Sequence, residues 1–218
     1  MIIALDGPAG VGKSTIAQLL SKRNNLFYLN SGNFYRAVTL YLLESHGDPE
    51  NQNDIIGAAK AIEPSIIDNT FYLNGSNVEA QLHSDSVDKW VAAHSAIPEV
   101  RSIVNKKMKT ICEGKDLVCE GRDMTTVLFP TTPFKFYLDA SACVRAKRRF
   151  NQGVSNLSLE EIEKSIIDRD TIDKNKTIGS LSISKDANYI DTSNLTIEEV
   201  CLKIEETIKG MIPNKNSI

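Results

Sequence analysis

Apolar positions along the chain gather into short runs separated by polar, glycine-rich turns, and their spacing switches repeatedly between the periods of strand and helix. The first run, Ile2-Ile3-Ala4-Leu5, predicts a short buried strand. After a glycine-rich turn, Ile16, Ala17, Leu19 and Leu20 predict the buried stripe of a helix. That helix should reach about Asn24 or Asn25, where paired asparagines suit a C-terminal cap. Leu26 to Leu29 predicts a second strand. It is followed by a polar turn, Asn30-Ser31-Gly32-Asn33-Phe34-Tyr35-Arg36, that opens a helix continuing to Leu43. Between 44 and 97 the alternation breaks: a turn at Gly47-Asp48-Pro49, a helix over 54–62, a hairpin signalled by Thr70-Phe71-Tyr72-Leu73 before Asn74-Gly75, and a helix over 85–96.

Pro98 suits the first turn of another helix, with Val100, Ile103, Val104, Met108 and Ile111 as its apolar stripe and Arg101 near its start. Leu117-Val118-Cys119 predicts a buried strand running into Glu120-Gly121-Arg122-Asp123, and Phe134 to Leu138 another that ends at Asp139. Ser141 caps a helix on which Arg145, Arg148 and Arg149 share one face. Capping boxes at Ser158-Leu159-Glu160-Glu161 and Thr196-Ile197-Glu198-Glu199 open two more helices. The first turns Leu159, Ile162 and Ile166 inward and, if it persists, lines Arg169, Asp173 and Lys176 along one edge. The second ends near Gly210, with a frayed tail at 213–218. Asn188 to Asp191 is the last expected strand. The pattern predicts an α/β fold with a five-stranded parallel sheet, helices on both faces and two insertions.

With 41% hydrophobic residues, the 218-residue chain can core one domain of this kind, and a second full domain is not expected. A formal net charge of −3 offers no basic surface for nucleic acid or anionic lipid, so any phosphate site must be a local cluster of cations. The four cysteines lack a C-x-x-C spacing and the three histidines an H-E-x-x-H, which speaks against zinc and for free thiols. No apolar run is long enough to span a membrane, and no basic segment precedes the first apolar run, so the expected compartment is the cytoplasm.

The chemistry enters with Gly7-Pro8-Ala9-Gly10-Val11-Gly12-Lys13-Ser14-Thr15, which fits G-x-x-x-x-G-K-S between a strand and a helix. Glycines let backbone N–H groups close on phosphate oxygens, and the helix dipole faces the same anion. Lys13 can reach the β and γ phosphates, and the Ser14 hydroxyl can ligate Mg²⁺. The chain should therefore bind a nucleoside triphosphate. Glu120, at the end of a second core strand, is the candidate acid of the magnesium shell, with Asp139 ranked behind it.

Taken together, these segments resemble the bacterial cytidylate kinases: Gly7 to Thr15, Asn30-Ser31-Gly32-x-x-Tyr35-Arg36, Pro98-x-Val100-Arg101, Glu120-Gly121-Arg122-Asp123, Arg145-Ala146-x-Arg148-Arg149, Arg169-Asp170-x-x-Asp173 and Ile190-Asp191-Thr192-Ser193. The resemblance spans nearly the whole chain and implies transfer of the ATP γ-phosphoryl to CMP or dCMP by a cytoplasmic monomer. It implies a core at 1–62, 98–149 and 179–212, a nucleotide-monophosphate insertion at about 63–97 and a lid at about 150–178. Lys13, Arg145, Arg149 and Arg169 would then neutralise the moving phosphoryl. Arg36 and Arg122, with Ser31 and Tyr35 beside them, would hold the acceptor phosphate, Arg101 and Asp123 would read the cytosine, Arg169 and Asp173 would close over the ribose, and Lys176 of the lid would also contact the substrate. Four positions depart from the family pattern: Asn30 stands for the usual Asp, Ala92 for a base-reading Ser of some members, Thr125 for a Gly common after G-R-D-x, and Lys176 for an Arg. A kinase of another small acceptor, UMP or a shikimate-like metabolite, and a non-catalytic nucleotide-binding regulator remain the alternatives.

Overall fold

A computed structural model describes residues 1–151, 153 and 157–212, so the expected frayed tail at 213–218 lies outside the described residues. The chain opens with β1 (Ile2–Asp6), the glycine-rich turn and α1 (Lys13–Asn24), then β2 (Phe27–Asn30) and α2 (Ser31–Glu44). The expected cap is present: Asn25 adopts φ 51° and donates its backbone N–H to the Ser21 carbonyl. No turn separates β2 from α2. The helix starts at Ser31, one residue after the strand, so the hydroxyl and amide groups expected in a loop are presented from a helix N-terminus instead.

The stretch from 44 to 97 holds α3 (Gln52–Ala61), the three-stranded antiparallel sheet of β3 (Pro64–Ile67), β4 (Thr70–Leu73) and β5 (Ser76–Asn77), and α4 (Asp85–His94). The α3 helix begins two residues before the expected Asp54 because the Asn51 side chain accepts the backbone N–H groups of Asn53 and Asp54. Asn74 and Gly75 both take positive φ, 50° and 81°, as a two-residue hairpin of the primed type requires. A second such turn, Asp68-Asn69, joins β3 to β4 without a glycine.

Then follow α5 (Pro98–Cys112), β6 (Leu117–Gly121), a single π-helical turn (Met124–Leu128), β7 (Phe134–Asp139), α6 (Ala142–Asn151), α7 (Leu159–Lys174), β8 (Asn188–Asp191) and α8 (Ile197–Met211). Both predicted capping boxes form in full, at Ser158/Glu161 and Thr196/Glu199. The α7 helix does not persist to Lys176: it ends at Lys174 with Asn175 as its cap.

The main sheet is all parallel in the order β2-β6-β1-β7-β8. Successive residues of a strand face opposite sides, so Ala4 joins one core while its neighbours Ile3 and Leu5 join the other. One face is covered by α2, α3 and α5 through Phe34, Val38, Ile55, Val100 and Met108, and Phe71, Leu73 and Val91 of the inserted segment extend that core without a break. The opposite face is covered by α1 and α8 through Ile16, Leu20, Val200 and Ile204. A small third cluster of Ala146, Ile162 and Ile166 joins α6 to α7. Pairing in register brings Asp6, Asn30 and Gly121 to one edge of the sheet, so the turns after β1, β2 and β6 open on the same side.

Candidate active site

The cleft at that edge is lined from the donor loop, the start of α2, the ends of α4 and β6, and α6 and α7. Gly10 and Gly12 hold φ of 76° and 98°, conformations that a side chain would strain. They turn the chain into α1 with Lys13 at its first position. Lys13 is buried, its Nζ donating to the carbonyls of Gly7 (2.9 Å) and Pro8 (2.8 Å). Burial, reinforced by the nearby Arg122 cation, lowers its ammonium to about 7. Ser14 is exposed to the cleft, whereas Thr15 points away from it.

The three cations of α6 diverge. Arg149 lines the cleft. Arg145 is buried and its guanidinium is taken up by the Ala140 carbonyl (2.9 Å), the Ala9 carbonyl (2.9 Å) and the Asp170 carboxylate of α7 (2.7 Å). Arg148 donates to Thr192 Oγ1 (3.1 Å) and to the Thr192 carbonyl (2.5 Å). Arg145 thus braces the donor loop from behind instead of facing the cleft.

Glu120 is almost fully buried at the mouth of β6, and the Tyr28 hydroxyl donates to its Oε1 at 2.9 Å. Asp139 is engaged elsewhere, accepting from the Ala140 N–H (2.8 Å) and the Tyr189 hydroxyl (3.0 Å), and it does not line the cleft. An alcohol at Ser14 and a carboxylate at Glu120, both on the cleft wall, are hard oxygen donors of the kind Mg²⁺ takes.

At the other end of the cleft, the Arg101 guanidinium contacts the Asp123 carboxylate, donates to the Ser95 carbonyl (2.9 Å) and lies 5.2 Å from the centre of the Tyr35 ring. Burial lifts the Asp123 carboxyl above its ordinary value although Arg101 pulls the other way. Arg36 donates to the Leu82 carbonyl (2.9 Å) and to Asp88 (2.6 Å). The Arg122 Nε donates to Asp173 (2.7 Å), whose other oxygen accepts from Lys176 (2.8 Å). Burial alone would raise Asp173, but these two cations hold it at about 2. Lys176 lies beyond the end of α7, yet its ammonium folds back onto Asp173 and also donates to the Ser95 hydroxyl (3.0 Å). Arg169 lines the cleft with its Nε unpartnered, and burial lowers its guanidinium to about 10.

Seven cationic side chains and three carboxylates line this cleft in a chain of net charge −3, the local cluster that a polyanion requires. Of the residues selected from sequence, Ala9, Gly10, Lys13, Ser14, Ser31, Tyr35, Arg36, Arg101, Glu120, Arg122, Asp123, Arg149, Arg169, Asp173 and Lys176 meet there; Gly7, Pro8, Val11, Gly12, Thr15 and Arg145 do not.

Sequence reading missed several partners. Asp88, which no local signal marks, pairs with Arg36, and Asp170, visible in the Arg169-Asp170-x-x-Asp173 segment but given no role there, pairs with Arg145. Gly179 sits at φ 68° with its backbone against Arg101 and Asp123, where an added Cβ would lie 2.1 Å from the guanidinium. Asp6 is wholly buried, and a lone acid at the end of an apolar strand was a visible signal.

A model of the cytidylate kinase family matches residues 3–210. Cytidylate kinase from Borreliella burgdorferi is 42% identical over 206 residues, covering 92% of this chain and 93% of its own. Cytidylate kinase from Clostridium botulinum is 39% identical over 211 residues, covering 95% and 97%. Among solved structures, an uncharacterized protein from Eubacterium ventriosum superposes with a TM-score of 0.53 at 10% identity, covering 96% of this chain and 98% of its own, a likeness of fold alone.

Proposed function

This chain belongs to the cytidylate kinase family, and on that premise we propose that it transfers the γ-phosphoryl group of ATP to CMP or dCMP, yielding ADP and CDP or dCDP. The observation that carries the reading is one continuous cleft with Lys13 and Ser14 of the donor loop at one end and the Arg101–Asp123 pair at the other. A CMP phosphate oxygen is already nucleophilic at neutral pH, so no dedicated base is needed: a new P–O bond forms to it as the bridge between the β and γ phosphates breaks. The protein's contribution is alignment and neutralisation of charge.

Lys13 moves from its loop carbonyls to the β and γ oxygens, and Arg149 and Arg169 face the transferring group from the opposite wall. Arg36 and Arg122 hold the acceptor phosphate once it displaces the carboxylates of Asp88 and Asp173 from them. Ser31 and Tyr35 support that end, Arg101 and Asp123 meet the cytosine edge, and Asp173 with Lys176 meets the ribose. Magnesium, held through Ser14 and Glu120, would supply further neutralisation of the triphosphate. We assign residues 63–97 as the acceptor-binding insertion and about 150–178 as the lid, of which 152 and 154–156 lie outside the described residues. Among the described residues no helix is long and apolar enough to cross a membrane. A monomer working in the cytoplasm on free nucleotides, not on nucleic acid, fits the charge and this site.

A coupled assay of ADP release across CMP, dCMP, UMP, AMP and shikimate tests the reading. CMP and dCMP are expected to be the best acceptors. Preference for UMP or shikimate, or no turnover with any of them, would overturn it in favour of another acceptor or a regulator.

A further inference from the structure

One wholly buried carboxylate of the main sheet belongs to neither the donor loop nor the acceptor turn. Asp6 ends β1 directly before Gly7 and has no exposed surface. Its Oδ1 accepts the Met124 N–H (2.8 Å), and its Oδ2 accepts both the Thr125 N–H (2.8 Å) and the Thr125 hydroxyl (2.6 Å). These donors follow Arg122-Asp123 without an intervening residue. They open the π-helical turn in which Val127 and Leu128 both donate to the Asp123 carbonyl (2.9 and 3.2 Å). N–H groups in the first turn of a helical segment have no partner within it, and here a carboxylate from another strand takes two of them. Burial pushes that carboxyl up to about 6 in spite of these bonds, so an acid is kept where an apolar residue would cost less.

Thr125 is only 1% exposed. Its hydroxyl adds a third bond.

We propose that Asp6 is a positioning residue for phosphoryl transfer, clamping the Arg122–Asp123 acceptor turn to the first residue before the donor loop, and that the Thr125 hydroxyl reinforces the clamp. The chemistry needs the acceptor phosphate and the γ-phosphoryl in line within a fraction of an ångström. A rigid link between the strands that carry the two sites sets that distance, and neither Asp6 nor Thr125 lines the cleft. This inference rests on the kinase reading above.

The test compares wild type, Thr125→Val and Thr125→Ser for kcat and for KM toward CMP and ATP separately, with amide hydrogen exchange at residues 121–128. Thr125→Val keeps size and branching but removes the hydroxyl. It is expected to raise KM for CMP or lower kcat, together about tenfold in kcat/KM for CMP, the effect of losing one charge-assisted hydrogen bond. KM for ATP should stay within about twofold, exchange at Met124 and Thr125 should quicken, and Thr125→Ser should behave as wild type. Asp6→Asn should act in the same direction and more strongly; should it fail to fold, the Thr125 pair still decides. Wild-type kinetics and exchange in Thr125→Val would overturn the clamp, as would parallel rises in both KM values or failure of Thr125→Ser to rescue. A wild type that ignores CMP would sink the kinase reading instead, and the exchange comparison would then judge the clamp alone.

Discussion

At the scale of single residues, the site keeps its cations in reserve against its own protein groups. Lys13 rests on two loop carbonyls and Arg36 and Arg122 on two carboxylates, so each is held in place by a protein group. Removing Lys13 should therefore leave the fold intact and remove a charge that matters most in the transition state. Lys13→Ala is expected to lose about 100-fold or more in kcat, measured by the coupled assay on protein with a wild-type circular dichroism spectrum. Base choice is a second prediction. Cytosine presents an amino donor at position 4 where uracil presents a carbonyl, so in the proposed role a buried Asp123 would accept from the first and repel the second. Asp123→Asn, whose amide can donate, should narrow the CMP/UMP ratio of kcat/KM mainly by improving UMP. Equal ratios in mutant and wild type would place base reading elsewhere, with Ser95 the nearest polar candidate.

At the scale of elements, the segment after α7 depends on carboxylates. Asp173 ties Arg122 to Lys176, the Leu181 N–H donates to the Asp173 carbonyl (2.8 Å), and Asp186 pairs with the buried Lys135 (2.7 Å). The folded pKa of Asp173, about 2, lies below its ordinary 3.8, so its contribution is present above about pH 4 and is lost as pH falls toward 2. The shift corresponds to about 2 kcal/mol. Asp6 runs the other way: raised to about 6, it favours the folded state increasingly as pH falls from 6 to 4. Below pH 4 Asp6 no longer changes, but Asp186, held low by its Lys135 hydrogen bond, is lost over the same range as Asp173. Urea unfolding at pH 4 and pH 2.5 should show a loss of stability that is smaller in Asp173→Asn than in wild type. Sequence made these elements legible wherever a local device set their ends, as in the two capping boxes and the Asn74-Gly75 hairpin. It misplaced the start of α2, which follows β2 with no intervening turn, and left open the reach of α7, which Asn175 ends.

At the scale of the whole molecule, two cores on opposite faces of one sheet hold the site at its edge, and damage to either should reach stability before chemistry. Ile204 of α8 is fully buried against the α1 face. Ile204→Ala should cost about 2–5 kcal/mol in urea unfolding while kcat well below the transition stays within about twofold. The sequence by itself determined the order of strands and helices, the donor loop and the candidate cations. Hydrophobic period, caps and glycine positions are local properties, and G-x-x-x-x-G-K-S carries its geometry within eight residues, Gly7 to Ser14. Only the tertiary structure decided that Arg149 faces the cleft while Arg145, one turn away, braces the loop, and which carboxylate each arginine meets. It alone joined Asp6 to Thr125 across 119 positions. Those pairings depend on strand order and on how helices settle over the sheet, distances that residue spacing along the chain does not encode.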